Sequence, residues 1–207
     1  MDASTTLKID WLVLSDMLIA MASALSAELR LAVESLVERA TLRDRSLNRT
    51  QIVKLLYFTD LRSIEEFERP ITGAHWMWHN YGPFDSAIYQ ALDEMEADEV
   101  VTHDVNVGSM TEHTYSSLGR ADDAELAAMF DRILDEHGHR SGKSLIDLAY
   151  ATPPMRVAQD EGARGVDLNL FEGTEVERGA ERYDALLAKP LVDNDAAREE
   201  LHRFLFA

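Results

Sequence analysis

Apolar and polar residues follow one another along the chain with periods that predict mainly helices. Residues 9–42 predict one long helix or two consecutive ones, because apolar residues recur there every three or four positions. The members of this stripe are Leu14, Leu18, Met21, Leu25, Leu29 and Leu36. A second helix is predicted from a cap at Asn48 or Thr50 to about Phe67, since Pro70 pushes the residue before it out of the helical region.

An extended segment and several shorter elements are predicted next. Residues 71–83 are rich in aromatic and β-branched side chains, which favours a strand. Pro83 is placed at the start of a helix over about 84–97, with Asp85 and Ser86 as alternative caps. The rest of the chain predicts, in order, a β-hairpin over 99–118 that turns at Gly108-Ser109, helices over 122–136 and 142–150, a glycine-rich loop over 158–180, and a short docked helix with Leu201, Phe204 and Leu205.

These elements predict a compact, mainly α-helical domain with a small β-hairpin, which is an α+β fold. We divide the chain into an N-terminal helical extension (1–44), a central domain (45–155) and a C-terminal loop with a docked helix (156–207). The order helix, helix, hairpin is compatible with a winged helix. A winged-helix-like DNA-binding regulator therefore stays an alternative, although a fold does not by itself imply a function.

Composition limits the classes of partner. Of the 207 residues, 46% are hydrophobic, and the formal net charge is -18. This charge argues against nucleic acid, because phosphate binding needs clustered Lys and Arg, and it suits a basic protein partner better. The apolar run from Trp11 to Leu25 is too short and too interrupted to span a membrane. With no cysteine and no signal-peptide pattern, the expected location is the cytoplasm.

One carboxylate stands out on the helix over 51–67. At 100° per residue, Asp60 falls within the broad apolar face, whereas Lys54 falls on the polar side. A buried carboxylate must be paired or hydrogen-bonded. It is either a general base or a structural staple that accepts hydrogen bonds from the turn at Tyr81, Gly82 and Pro83, from His79 or from a tryptophan. We favour the staple, because no nucleophile or second carboxylate lies at partner spacing. Gly82 fits a close approach of this turn to another element.

Aromatic and acidic side chains are the candidates for partner binding. The aromatic candidates are Trp76, Trp78, His79 and Phe84, and the acidic ones, which offer a negative surface to a basic partner, are Asp93, Glu94 and Glu96. The structural alternative is a set of core aromatics and a solvated helix end. His75 and His79 lie about 13 Å apart on an extended segment, too far to share a metal. No nucleophile elbow, zinc-binding helix or dinucleotide-binding glycine motif occurs, so we expect no enzymatic activity, no metal and no cofactor.

Two stretches of the chain resemble a known family. The stretch "KLLYFTD" from Lys54 to Asp60 precedes Glu68-Arg69-Pro70-Ile71, and Tyr81-Gly82-Pro83 precedes Tyr89. Their order and spacing are similar to those of the Panacea domain, also described as the SocA-like antitoxin domain of bacteria and their phages. The resemblance covers roughly residues 45–155. The residues that we assign to its structural motif are Lys54, Tyr57, Asp60, Tyr81, Gly82 and Pro83.

The resemblance implies a function in a toxin–antitoxin system. Members of the family are similar in being encoded beside a toxin, which they neutralise largely by direct protein contact. We therefore expect a non-enzymatic antitoxin whose partner is a cognate protein toxin from an adjacent gene. One described variant acts instead as an adaptor that delivers its toxin to a ClpXP-type protease, and this stays an alternative. A homodimer is a further assembly that the sequence leaves open.

Overall fold

A computed structural model describes residues 27–98, 101–107, 111–117, 124–162, 164–175 and 177–179. Its elements in chain order are α1 (27–41), β1 (Leu47–Asn48), α2 (Arg49–Phe67), β2 (Met77–His79), β3 (Gly82–Phe84), α3 (Ser86–Ala97), β4 (Val101–Val107), β5 (Thr111–Ser117), α4 (Ala124–His137), α5 (Gly142–Tyr150) and α6 (Pro153–Glu161). The prediction of a mainly α-helical α+β fold with a small hairpin is confirmed.

Helix α2 lies at the centre of the fold. It begins with a capping box, in which the side chain of Asn48 accepts a hydrogen bond from Gln51 N (2.9 Å) and Gln51 Oε1 accepts one from Asn48 N (3.0 Å). It ends at Phe67, where Glu68 takes the left-handed conformation. Both predicted ends are therefore confirmed. All nine residues from 52 to 60 are buried, because α4, α5 and β3 pack around this helix.

Two small antiparallel sheets flank the helices. The larger has the strand order β1-β5-β4, with Leu47 opposite Tyr115 and Val101 opposite Ser117. The predicted hairpin over 99–118 is confirmed by β4 and β5, and its predicted turn at Gly108-Ser109 lies outside the described residues. The smaller sheet consists of β2 and β3, joined through Asn80-Tyr81. This second hairpin was predicted only as one extended segment.

Helix α1 packs into the same core as the central domain. Its buried residues recur at helical spacing: Leu29, Ala32, Val33, Leu36, Val37 and Ala40. Arg39 and Arg43 both bind Asp131 on α4. The predicted stripe residues Leu14, Leu18, Met21 and Leu25 and the predicted C-terminal helix lie outside the described residues. The three-part division of the chain stays a prediction.

Two boundary predictions were wrong. Pro83 lies in β3 and not at a helix start, whereas the predicted helix itself is confirmed as Ser86–Ala97 with Asp85, one of the two predicted caps, as its cap. The predicted loop over 158–180 overlaps the end of α6, because Pro153 stands in the first turn of a helix, where proline has no hydrogen bond to lose.

The predicted loop also contains a segment that lies against β2. Trp78 N donates to Val166 O and Leu168 N donates to Trp76 O, each at 2.9 Å, so these residues run antiparallel to residues 76–78.

Among the described helices, none has the length and apolar character needed to cross a bilayer.

Candidate functional site

Asp60 joins the end of α2 to the turn that follows it. Its side chain is fully buried. Oδ1 accepts hydrogen bonds from Ile71 N and Thr72 N (both 2.9 Å), and Oδ2 accepts from Thr72 Oγ1 (2.6 Å) and Trp76 Nε1 (2.8 Å). Burial raises the pKa of Asp60, and these four hydrogen bonds act in the opposite direction. With both oxygens occupied by structural donors, Asp60 is a staple and not a free base.

The staple was predicted, but of its three proposed partners only the tryptophan is found, and His79 and the turn at Pro83 do not bind it. Asp60 binds the turn at Ile71-Thr72 and a tryptophan, and not the turn at Tyr81-Gly82-Pro83. The turn after α2 lies nearer to Asp60 in sequence. Its backbone N–H groups at Ile71 and Thr72 are therefore the ones that reach the carboxylate near the end of α2. Thr72 was not singled out from the sequence. Its position, twelve residues after Asp60 and directly after Pro70-Ile71, was the available signal.

Lys54 holds the second turn, at Pro83. It was assigned to the polar face of α2, and this was wrong, because its side chain is only 2% exposed. Nζ donates a hydrogen bond to Pro83 O at 2.6 Å. Burial lowers the pKa of Lys54 to about 7. The signal in the sequence was its place directly before the apolar run Leu55-Leu56-Tyr57-Phe58.

Tyr57 belongs to the core of the same helix. It is buried, its ring meets that of Trp76 edge-on at 5.3 Å, and its hydroxyl shares a hydrogen bond of 2.8 Å with Thr152 Oγ1. Burial raises the pKa of Tyr57. Tyr57 therefore ties α2 to the start of α6.

Gly82 follows the tip of the β2–β3 hairpin and has φ +90°. Its glycine identity was predicted from a close approach to another element. The close approach is only an ordinary contact, since a Cβ here would lie 3.6 Å from Lys54 Nζ and 3.7 Å from the Tyr150 ring. The positive φ is the stronger requirement, because side chains with a Cβ rarely adopt it.

A pocket of about 210 Å³ lies between α2, the β2–β3 hairpin and α3. Helix α2 contributes Thr50, Val53 and Lys54, and α3 contributes Tyr89. The hairpin contributes His79, Asn80, Tyr81, Gly82 and Phe84. Five residues that the sequence singled out separately therefore meet here: Lys54, His79, Tyr81, Gly82 and Phe84.

Aromatic rings form the wall of this pocket. The rings of His79 and Phe84 lie 5.1 Å apart, and Phe84 meets Tyr89 edge-on at 5.3 Å. The guanidinium of Arg49 lies over the Tyr89 ring at 5.0 Å. Tyr81 stands at the rim and is 71% exposed. Arg49 was not predicted, because its contact to Tyr89 spans forty positions of sequence.

The remaining predicted residues lie elsewhere. Trp76 is 3% exposed and donates to Asp60, so it cannot contribute to a surface of this chain. Trp78 is half-buried, with its indole N–H 3.4 Å from Tyr150 Oη. Asp93, Glu94 and Glu96 are exposed on α3, where Asp93 binds Arg49. Whether these acidic residues contact a partner stays a prediction.

Other cavities and clusters are less informative. A cavity of about 300 Å³ lies beside the C-terminal half of α2 and contains none of the predicted site residues. Across the part of the chain that the structure describes, no group of three or more His, Asp or Glu side chains is arranged to hold a metal ion.

The family comparison concerns the part of the chain that contains most of these residues. Residues 52–154 match the family described as antitoxin SocA-like, Panacea domain. This part of the chain belongs to the Panacea family. No curated protein and no solved structure matches the chain significantly.

The Panacea match contains the Asp60 staple and almost the whole pocket. It begins within α2 and ends at Pro154 in α6, so only Thr50 among the pocket residues precedes it. Helix α1 and the segment at 165–168 lie outside the match, yet both pack against it.

Proposed function

We propose that the chain is an antitoxin that neutralises a cognate protein toxin, encoded by an adjacent gene, by direct contact through the hairpin face. We define the hairpin face as His79, Asn80, Tyr81, Phe84 and Tyr89. The observation that carries this proposal is the exposure of Tyr81 beside a pocket with aromatic walls. Tyrosine is enriched among the residues that dominate the energetics of protein interfaces.

The rigid mounting of the hairpin supports this assignment. On one strand of the hairpin, Pro83 O accepts a hydrogen bond from Lys54 Nζ. On the other side, Tyr150 Oη lies 3.4 Å from Asn80 O, and Gly165 N donates to Trp78 O at 2.7 Å. A surface that is already ordered loses little conformational entropy on binding. The hairpin face is therefore better suited to recognition than a loop without such contacts.

Charge supports a protein partner over nucleic acid. The net charge of -18 repels phosphate, and the exposed carboxylates of α3 lie on the element that carries Tyr89. These carboxylates suit a toxin with a basic surface around the contact, because complementary charge raises the rate of encounter.

The test is co-expression of the full chain with the product of the adjacent reading frame, scored by growth and by co-purification. We expect rescue and a co-eluting complex with the wild type, and loss of both with Tyr81→Ala. Phe67→Ala is the matched control. It removes another exposed aromatic ring, 42% exposed, about 20 Å further along α2 from Lys54.

The outcomes separate the alternatives. Equal rescue by Tyr81→Ala and by the wild type would remove the hairpin face from the proposal. Rescue without any complex, lost in a protease-deficient host, would instead favour an adaptor that delivers the toxin for proteolysis. A neighbouring product that does not inhibit growth when expressed alone would contradict the assignment of the adjacent gene.

A further inference from the structure

The size of the pocket restricts what can occupy it. Its volume is about 210 Å³. Sites for drug-sized ligands and cofactors usually have about 300–1,000 Å³, whereas a cavity of about 150 Å³ holds a benzene ring. The pocket therefore suits a single side chain of a partner rather than a nucleotide or a cofactor.

The base of the pocket offers hydrogen-bond donors. A protonated lysine has three N–H bonds, and among the described contacts Lys54 uses one of them, to Pro83 O. The side chain of Lys54 is only 2% exposed, yet it forms part of the lining of the pocket. None of the nine lining residues carries a carboxylate. An entering group that accepts hydrogen bonds would therefore meet an ammonium that no described acidic side chain neutralises.

The acidic character of the whole chain does not prevent such a contact. At physiological ionic strength, exposed charges are screened beyond about 8 Å. Asp93, which lies one turn after Tyr89 on α3, is bound to Arg49. Inside the pocket the local charge is that of Lys54, while the exposed acidic residues act on the surrounding surface of the partner.

We infer that the pocket receives one carboxylate side chain, an aspartate or glutamate of the toxin, and that Lys54 binds it. The methylene groups of that side chain pack against Phe84 and Tyr89, and its carboxylate accepts hydrogen bonds from Lys54 Nζ. This inference rests on the proposed function, because the occupant belongs to the toxin. It adds the chemistry by which the hairpin face selects its partner.

Binding of a carboxylate is coupled to protonation of Lys54. The titratable and charged groups around the amine are His79 and Tyr81 on the hairpin, Tyr89 on α3, Tyr150 on α5 and Arg49 on α2. None of them carries a carboxylate. With a pKa of about 7, Lys54 is largely neutral at higher pH in the free chain, and a bound carboxylate would raise that pKa. The affinity should then fall by up to about tenfold per pH unit above pH 7.

A double-mutant cycle between the full chain and the purified product of the adjacent reading frame tests this contact. Each Asp and Glu of that product is changed to Asn or Gln, and affinities are measured by calorimetry with the wild type and with Lys54→Met. Methionine retains the unbranched shape and removes the charge. We expect one carboxylate whose neutralisation weakens binding to the wild type about tenfold or more, and by less than about twofold in the Lys54→Met background.

The failures of the two proposals are distinguishable. No binding by the wild type contradicts the proposed function itself. Binding by the wild type without any carboxylate that couples to Lys54 overturns the inference and leaves the antitoxin proposal standing. If Lys54→Met does not fold, the toxin substitutions measured with the wild type decide. The inference is overturned if no single neutralised carboxylate weakens binding about tenfold, and a fall in affinity with pH that disappears with one neutralised toxin residue supports it.

Discussion

Replacement of Asp60 should destabilise the fold in proportion to the donors that lose their acceptor. Asp60→Ala leaves Ile71 N, Thr72 N and Trp76 Nε1 without the acceptor that they have in the wild type, while the Thr72 hydroxyl can rotate to another partner. Each buried donor left unpaired costs about 1–3 kcal/mol. Removing the buried charge offsets part of this cost. We expect a loss of about 2–4 kcal/mol in the free energy of unfolding, which is a large part of the stability of a typical domain.

Asp60→Asn separates hydrogen bonding from volume. The amide oxygen can keep the bonds from Ile71 N and Thr72 N, but the NH₂ group then faces the Trp76 indole N–H, which can only donate. The expected cost is about 1–2 kcal/mol, between the wild type and the alanine variant. Urea unfolding of the full chain, followed by far-UV circular dichroism, gives all three free energies.

The control is Asp160→Ala, which removes an exposed carboxylate on α6. It should change the free energy of unfolding by less than about 0.5 kcal/mol. If Asp60→Ala matched this control, or if Asp60→Asn were as damaging as Asp60→Ala, the four hydrogen bonds would not be what stabilises the turn.

Two further predictions concern the pocket. The stability of the wild type should rise with pH from about 7 towards 9.5 by up to about 1.4 kcal/mol per pH unit, because the folded pKa of Lys54 lies below its ordinary value of 10.5 and the unfolded chain binds more protons in that window. Lys54→Met should lack most of this slope in urea unfolding across pH, and an identical slope would contradict a buried amine. Gly82→Ala should cost about 1–2 kcal/mol, since alanine must adopt φ +90° at the hairpin tip. An unchanged melting temperature of Gly82→Ala would contradict this expectation and would show that the β2–β3 hairpin relaxes around the new side chain.

Much of the fold could be predicted because helix ends are local. Asn48, Gln51 and Pro70 act within a few residues of the ends of α2, so their effects are readable in sequence. The hairpin of β4 and β5 is similarly local. The start of α3 was less accurate and α6 was not predicted, since Pro83 and Pro153 are compatible with both a strand or stop and a helix start.

Several residues of the candidate site were singled out from the sequence, but others, such as Thr72 and Arg49, and the arrangement of the site were not. Asp60 required partners wherever it was buried, and the structure decided that they are Ile71, Thr72 and Trp76. Trp76 was a candidate for partner binding with a core aromatic as the alternative, and the structure places it in the core, because the sequence alone cannot tell which side of its extended segment faces inward.

The sequence by itself determined the order of most helices and of the β4–β5 hairpin, the ends of α2, the need to satisfy a buried carboxylate and the resemblance to the Panacea family. Only the tertiary structure decided that Lys54 is buried, because a helical projection assumes one core face whereas α4, α5 and β3 enclose α2 on several sides. It also decided that residues 165–168 lie against β2 and that the hairpin and α3 form a pocket over Lys54. These features depend on contacts between residues that are 29 to 92 positions apart, for which capping, turn chemistry and periodicity carry no information.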